Sequence, residues 1–169
     1  MATYVLAIGS NLGNREQILE KARDLIHRKV GRLEKVSSIF ETAPWGNENQ
    51  PAFLNQVLSG QTSYAPKEFL RILLQIEQRL GRVREEKWTP RLIDIDILYY
   101  EQLIVHEDDL HIPHPHLQDR KFVLEPLAEI LPDYIHPVSG KTSLQLLAEV
   151  QDKLPVAKYK PLGKLSLTK

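Results

Sequence analysis

The sequence predicts an α+β fold, and three observations carry that reading. Short apolar runs rich in β-branched residues, such as "TYVLAIGS" and "LIDIDIL", have strand character. Phe69, Leu70, Leu73, Leu74, Ile76 and Leu80 instead repeat at helical spacing. The two kinds of segment alternate in the order strand, helix, strand, strand, helix, strand, with helical segments behind.

The first strand, residues 3–10, is apolar enough to be central. "NLGN" then turns the chain into a helix over residues 15–27, with Asn14 placed to cap it. A second strand spans 32–42. A loop rich in Asn, Gln, Pro and Gly, "APWGNENQPA", leads to a third, "FLNQVLSGQTS". Pro66 opens the second helix, which ends near Gly81. After a charged loop, residues 92–98 form the fourth strand. A Pro/His loop follows, then helices at "FVLEPLAEIL" and "SLQLLAEV". No repeat, low-complexity tract or linker divides residues 1–169, so a single domain is expected. The order βαββαβ with additional C-terminal helices matches the ferredoxin-like pattern, which hosts many functions.

Composition excludes several classes. Lys plus Arg and Asp plus Glu number 22 each, so no global field argues for nucleic acid or an anionic membrane. No window approaches the roughly 18 apolar residues of a membrane span. No basic stretch precedes the first apolar run, which reads as a core strand rather than a signal peptide. A cytoplasmic protein is expected. Without cysteine, disulfides, thiolate catalysis and Cys-based metal sites are ruled out.

The fourth strand holds an anomaly. Aspartate is depleted in strands, yet Asp94 and Asp96 interrupt this one. Two residues apart on a strand, they share a face and stand about 6.5–7 Å from each other. Ile93, Ile95 and Ile97 take the opposite face and can anchor it. Carboxylates so placed suit Mg²⁺ or Mn²⁺, and a pair of such ions clamps phosphates. Asp-x-Asp alone equally fits a solvated sheet face.

The loop "RLGRVREEKWTPR" brings Arg79, Arg82, Arg84, Lys87 and Arg91 beside these acids, with Trp88 among them. Guanidinium groups bind phosphate oxygens through paired donors. Glu85 and Glu86 also allow a merely solvated turn. Glu77 either adds a hydrogen bond to a nucleotide or faces water. His111, His114 and His116 lie close together, but Pro113 and Pro115 hold the backbone extended and zinc-helix spacing is lacking. A histidine donating to phosphate, with Arg120 behind it, fits better.

"PVSGKTS" imitates a P-loop, but Ile135 stands where its first glycine belongs. "IGSNLGN" is not a dinucleotide fingerprint, although its glycines permit close approach by a flat ligand. Phe53 and Asn55 share a strand face, as an aromatic and an amide holding a heterocycle would. A core Phe and a turn-capping Asn fit that segment equally well.

In order along the chain, "YVLAIGSNLGNR", "SSIFETAPWG", "QPAFLNQV", "EQRLGRVREEKWTPRLIDIDIL" and "IPHPHLQDRKFVLEPLAEI" resemble the 6-hydroxymethyl-7,8-dihydropterin pyrophosphokinases of folate synthesis. The resemblance implies transfer of diphosphate from ATP to the pterin hydroxymethyl group, releasing AMP. It implies a ferredoxin-like core with ATP and pterin side by side, and Asp94 and Asp96 holding two Mg²⁺ ions. Arg82 and Arg91 would be catalytic. With Arg84 and Trp88 they would form a mobile loop over ATP. Glu77, Ile97, His114 and Arg120 would complete the ATP site. The pterin would stack between Phe53 and Phe122, with Gly9, Thr42, Ala43, Pro44, Trp45 and Asn55 around its edge. The partners implied are these two small molecules, with no nucleic acid and no membrane, for a monomer.

The sequence departs from some relatives in carrying Phe53 and Pro115 in place of Tyr, and Lys87 in place of Arg. Pro115 loses a possible nucleotide contact, and Lys87 replaces a fork by a point donor. A nucleotidyltransferase would place its Gly-Ser turn close to Asp-x-Asp, whereas here more than eighty residues separate them. An RNA-binding module would show an aromatic RNP pattern and a basic surface, and neither is present.

Overall fold

The computed structural model describes residues 1–42, 51–81 and 92–159. In chain order the elements are β1 (Ala2–Ser10), α1 (Arg15–Lys29), β2 (Leu33–Val36), β3 (Phe40–Thr42), β4 (Phe53–Thr62), α2 (Pro66–Arg79) and β5 (Asp94–Tyr100). Then follow β6 (Val105–Glu107), β7 (Leu110–Ile112), a 3-10 turn (Leu117–Asp119), α3 (Lys121–Ile130), α4 (Ser143–Glu149) and β8 (Val156–Lys158). Four α-helices and an antiparallel sheet give a mixed α/β architecture among the described residues.

The sheet runs β5-β1-β4-β3-β8, with β2 also paired to β4. β1 is central, as its apolar sequence predicts, and pairs antiparallel with both β4 and β5. α1 starts where Asn14 caps it, the side chain accepting from Gln17 N at 3.1 Å. α2 begins on Pro66 and gives way to Gly81, whose φ of +95° is a turn that an L side chain resists.

The second strand arrives in two pieces rather than as one run over 32–42. Ser37 is the reason. Its backbone N–H donates to Val57 O and its hydroxyl accepts from Val57 N, both at 2.9 Å, while its carbonyl accepts from Gln56 Nε2 at 2.7 Å. Side chains thus take over ladder bonds at that point, and the regular pairing breaks. The β6–β7 hairpin and β8 are also additions, each strand being three residues of mixed polarity with no readable period.

Helices cover both sheet faces. α1 and α2 bury Leu19, Ile26, Phe69 and Leu73 against Tyr4, Leu6, Ile8, Leu54, Ile95 and Ile97. On the other face, Val123, Leu124 and Leu127 of α3, with Leu146 of α4, cover Val5, Val57, Leu98 and Tyr99. No helix among the described residues is long and apolar enough to cross a membrane.

Candidate active site

The aspartates stand on β5, which pairs only with β1 among the described residues. Asp94 lies opposite Gly9 and Asp96 opposite Ala7; on the far side of β1, Gly9 meets Asn55 and Ala7 meets Val57. Directly opposed residues share a sheet face, so Asp94, Gly9 and Asn55 form one row and Asp96, Ala7 and Val57 the next. Asp94 is half-buried and Asp96 exposed, with only glycine and alanine beside them on β1. Ile95 and Ile97, each 7% exposed, point into the core below. The carboxylates therefore project from a rigid element onto an uncrowded floor.

Glu77 is 3% exposed, which overturns the alternative that it faces water. Its Oε2 accepts from Ile95 N at 2.6 Å. That N–H would point off the sheet, and the carboxylate supplies the acceptor a neighbouring strand would otherwise provide. Ile97, two residues on, keeps its side chain in the same core and leaves its backbone at that edge.

On β4, Asn55 is mid-strand and 8% exposed, so it caps no turn. Its Nδ2 donates to Thr42 Oγ1 at 2.9 Å, and Thr42 is itself only 4% exposed. This bond fixes the amide with Oδ1 over Gly9, where an added Cβ would sit 2.7 Å from that oxygen. Gly9 is what lets Asn55 lie flat across β1. Phe53, half-buried, stands opposite Thr42 at the start of β4.

Two residues missed from sequence support this corner. Asn11, fully buried, donates from Nδ2 to Pro51 O at 3.2 Å. Arg15 Nη1 donates to Glu41 Oε2 at 3.0 Å and to Ala52 O at 2.9 Å, tying the end of β3 to the start of β4. Their signal was the polar "SNLGNR" run itself, but the contacts of Asn11 and Arg15 are long-range.

The third component comes from the α3 side. His114 N donates to Leu98 O at 3.0 Å, placing the imidazole beside β5. Its Nδ1 accepts from His116 N at 3.1 Å, which leaves Nε2 to carry the proton. Burial, reinforced by Arg120, His116 and His111, pushes its pKa down to about 4. The ring is therefore a neutral donor at neutral pH. Arg120 precedes α3, with its guanidinium carbon 5.8 Å from the Phe122 ring centroid. Phe122 is half-buried at the rim of the α3 core.

Asp94, Asp96, Gly9, Thr42, Phe53 and Asn55 thus share one sheet face, and His114, Arg120 and Phe122 come from the segment that packs on that face. Arg82, Arg84, Trp88 and Arg91, with Lys87 and the mobile-loop expectation, lie outside the described residues, as do Ala43, Pro44 and Trp45. The P-loop imitation is a turn before α4: Thr142 caps that helix, accepting from Gln145 N at 3.2 Å, and Gln145 returns the bond.

Residues 5–132 match the model of the family described as 7,8-dihydro-6-hydroxymethylpterin-pyrophosphokinase (HPPK). The chain is 43% identical over 141 residues to the 2-amino-4-hydroxy-6-hydroxymethyldihydropteridine pyrophosphokinase of Aquifex aeolicus, covering 83% of this chain and 88% of that one. It is 40% identical over 151 residues to the folic acid synthesis protein fol1 of Schizosaccharomyces pombe, covering 89% of this chain but 20% of that longer one. Among solved structures, wild-type HPPK-DHPS of Plasmodium falciparum superposes with a TM-score of 0.73 at 18% identity, over 87% of this chain and 44% of that one, a likeness of fold. The family match over residues 5–132, together with identity at this level, makes the chain a member of the 7,8-dihydro-6-hydroxymethylpterin-pyrophosphokinase family.

Proposed function

We propose that the chain transfers the terminal diphosphate of ATP to the hydroxymethyl oxygen of 6-hydroxymethyl-7,8-dihydropterin, releasing AMP, as a step of folate biosynthesis. The observation that carries the site assignment is the row Asp94–Gly9–Asn55. β5 and β4 flank β1, so carboxylate and amide stand two strand spacings apart, about 9–10 Å. That is comparable to the long axis of a two-ring heterocycle with its hydroxymethyl arm. A pterin whose edge is read at Asn55 and Thr42 therefore extends its hydroxyl toward the aspartates.

The donor set suits Mg²⁺. Asp94 and Asp96 offer hard oxygens on one uncrowded face, and Mg²⁺ typically takes one or two carboxylates and completes its shell with water and phosphate. Two ions, when bound, would supply positive charge to the phosphate oxygens and ease loss of the hydroxyl proton. His114 donates its Nε2–H to a phosphate oxygen, and Arg120 adds a fixed positive charge. Phe53 and Phe122 hold the heterocycle between them. Glu77 keeps β5, and with it the aspartates, in register at the sheet edge, beside the backbone of Ile97 where the nucleotide lies. Arg82, Arg84, Trp88 and Arg91 would complete the contacts to ATP. In the reaction the hydroxymethyl oxygen bonds to the β-phosphorus, the bond from that phosphorus to the α-bridging oxygen breaks, and AMP leaves. Positioning and electrostatics do most of the work.

The reading extends to a single ferredoxin-like domain, supported by two interlocked βαβ units. It also extends to a monomer acting in the cytoplasm on ATP and the pterin. Phosphorus NMR of protein, ATP, Mg²⁺ and hydroxymethyl-dihydropterin tests it. The expected products are AMP and a pterin diphosphate; ADP with a pterin monophosphate would overturn it.

A further inference from the structure

Residues 143–159 lie beyond the span matched by the family, yet in the structure they reach both walls of the candidate pterin slot. At one wall, Asp152 Oδ2 accepts from Lys121 N at 3.0 Å. Lys121 is the first residue of α3, and Arg120 before it provides no side-chain cap. Asp152 Oδ1 accepts from Leu154 N at 3.0 Å, which orients the carboxylate and turns the chain. Phe122 is the next residue along α3.

At the other wall, β8 joins the outer edge of β3. Val156 pairs with Thr42, Ala157 with Glu41 and Lys158 with Phe40, and Tyr159 N donates to Ile39 O at 2.8 Å. Thr42 is the residue that orients Asn55 and stands opposite Phe53. Two further ties hold this end. Lys158 Nζ lies 3.4 Å from Glu129 Oε2 near the end of α3, and the Arg15 guanidinium carbon is 5.7 Å from the Tyr159 ring centroid. Burial alone would raise the Glu129 pKa, but bonds from Ser38 N and Oγ, with the Lys158 ammonium, outweigh it and hold the carboxyl below its ordinary value.

We infer that residues 152–159 form a clasp that sets the spacing between the Phe122 wall and the Phe53/Asn55 wall, with Asp152 as a positioning residue for the pterin. The inference rests on the pterin reading of this slot. Its physical basis is the tether length. Three residues lie between the Lys121 anchor at Asp152 and the Thr42 anchor at Val156, and these four residue steps span at most about 14 Å. A flat ring stacked on both faces requires walls roughly 7–8 Å apart. The tether is therefore short enough to limit how far the walls can separate. The capping carboxylate also matters where Phe122 sits, because the first turn of a helix has unsatisfied N–H groups and a positive dipole end. Without Asp152 that turn frays and Phe122 loses its fixed height over the slot. His114 is held separately, its N–H donating to Leu98 O on β5 at 3.0 Å, and the aspartates stand on β5 itself, so the phosphate side depends less on the clasp.

The test measures dissociation constants for the pterin and for a non-hydrolysable ATP analogue with Mg²⁺ by calorimetry, on the full chain. Asp152→Ala is expected to weaken pterin binding about 5- to 10-fold, within the net worth of one ordinary intramolecular hydrogen bond, and ATP-analogue binding less than about 2-fold. Asp152→Asn, which keeps one acceptor, is expected to fall between wild type and Asp152→Ala, and it carries the test by the same split where the alanine variant does not fold. Unchanged pterin affinity, or equal losses for both ligands, would overturn the clasp. A wild-type chain that binds no pterin would instead overturn the reading of the slot, a different result.

Discussion

On the side covered by α1 and α2, the chain entering and forming β5 presents Ile93, Ile95 and Ile97, none more than 7% exposed; on the other, it carries Asp94 and Asp96 before reaching Leu98 under α3. The two faces of one strand thus serve opposite needs. Burying each isoleucine contributes about 1.5–3 kcal/mol and locks the backbone against rotation or slippage. The other face is roofed by α3 over Val5, Val57, Leu98 and Tyr99, and at the Gly9 end it carries the polar site instead. Groups that must meet a ligand in defined geometry gain from standing on an element fixed from behind. The closed face supplies rigidity and the half-roofed face supplies access.

The largest effect should come from the open face. On the proposed function, Asp94→Ala or Asp96→Ala would remove a metal ligand worth several kcal/mol of transition-state stabilisation, so kcat should fall about a thousandfold or more. Thermal melts should stay within about 0.5 kcal/mol of wild type, since neither side chain packs in the core. The mirror experiment is Ile95→Ala, which should cost about 2–5 kcal/mol of stability in denaturant titrations while leaving both carboxylates in place. If Asp94→Ala destabilised the fold as much as Ile95→Ala, the division of labour between the faces would be wrong.

The next effects separate the ligands that share the open face. Phe122→Ala should weaken pterin binding about 10- to 100-fold by loss of stacking area, with little change for ATP. Calorimetry showing equal losses would contradict the sandwich. Gly9→Ala places a Cβ 2.7 Å from Asn55 Oδ1 and forces the amide off Thr42. A rise of about 5- to 10-fold in the pterin KM is expected, with the ATP KM unchanged.

A pH dependence tests stability rather than ligand binding. His114 titrates near 4 in the folded chain, below its ordinary value of 6.5. Between those values the unfolded chain binds a proton that the folded chain does not. The contribution to stability is therefore complete above pH 6.5 and is lost as pH falls toward about 4. His136, lowered by burial, acts in the same direction, so the informative quantity is a difference. Urea titrations over this range should give a flatter profile for His114→Gln than for wild type. Identical profiles would show that the imidazole is not held neutral beside β5.

Local chemistry made much of the fold legible. Asn14 announced α1 and Pro66 announced α2, because caps and first-turn prolines act within a few residues of themselves. Contacts made across the molecule were not legible. Ser37 breaks the second strand through Val57 and Gln56, Glu77 serves Ile95, and Arg15 joins Glu41 to Ala52. None of these pairings has a periodic signature. β6, β7 and β8 were missed for a related reason, since three residues are too few to show alternation.

The alternation "IDIDI" by itself determined that Asp94 and Asp96 share a face and that isoleucines anchor the other, because side chains on any strand alternate with a period of two. The tertiary structure decided what those carboxylates look across to. Whether Asp94 meets Gly9 and then Asn55 is a matter of register between β5, β1 and β4, which are far apart in sequence and set by packing against helices on both faces. A shift of one residue would leave every local pattern intact and turn the aspartates into the core. Period is a property of one strand, but a site assembled across three strands exists only once their pairing is chosen.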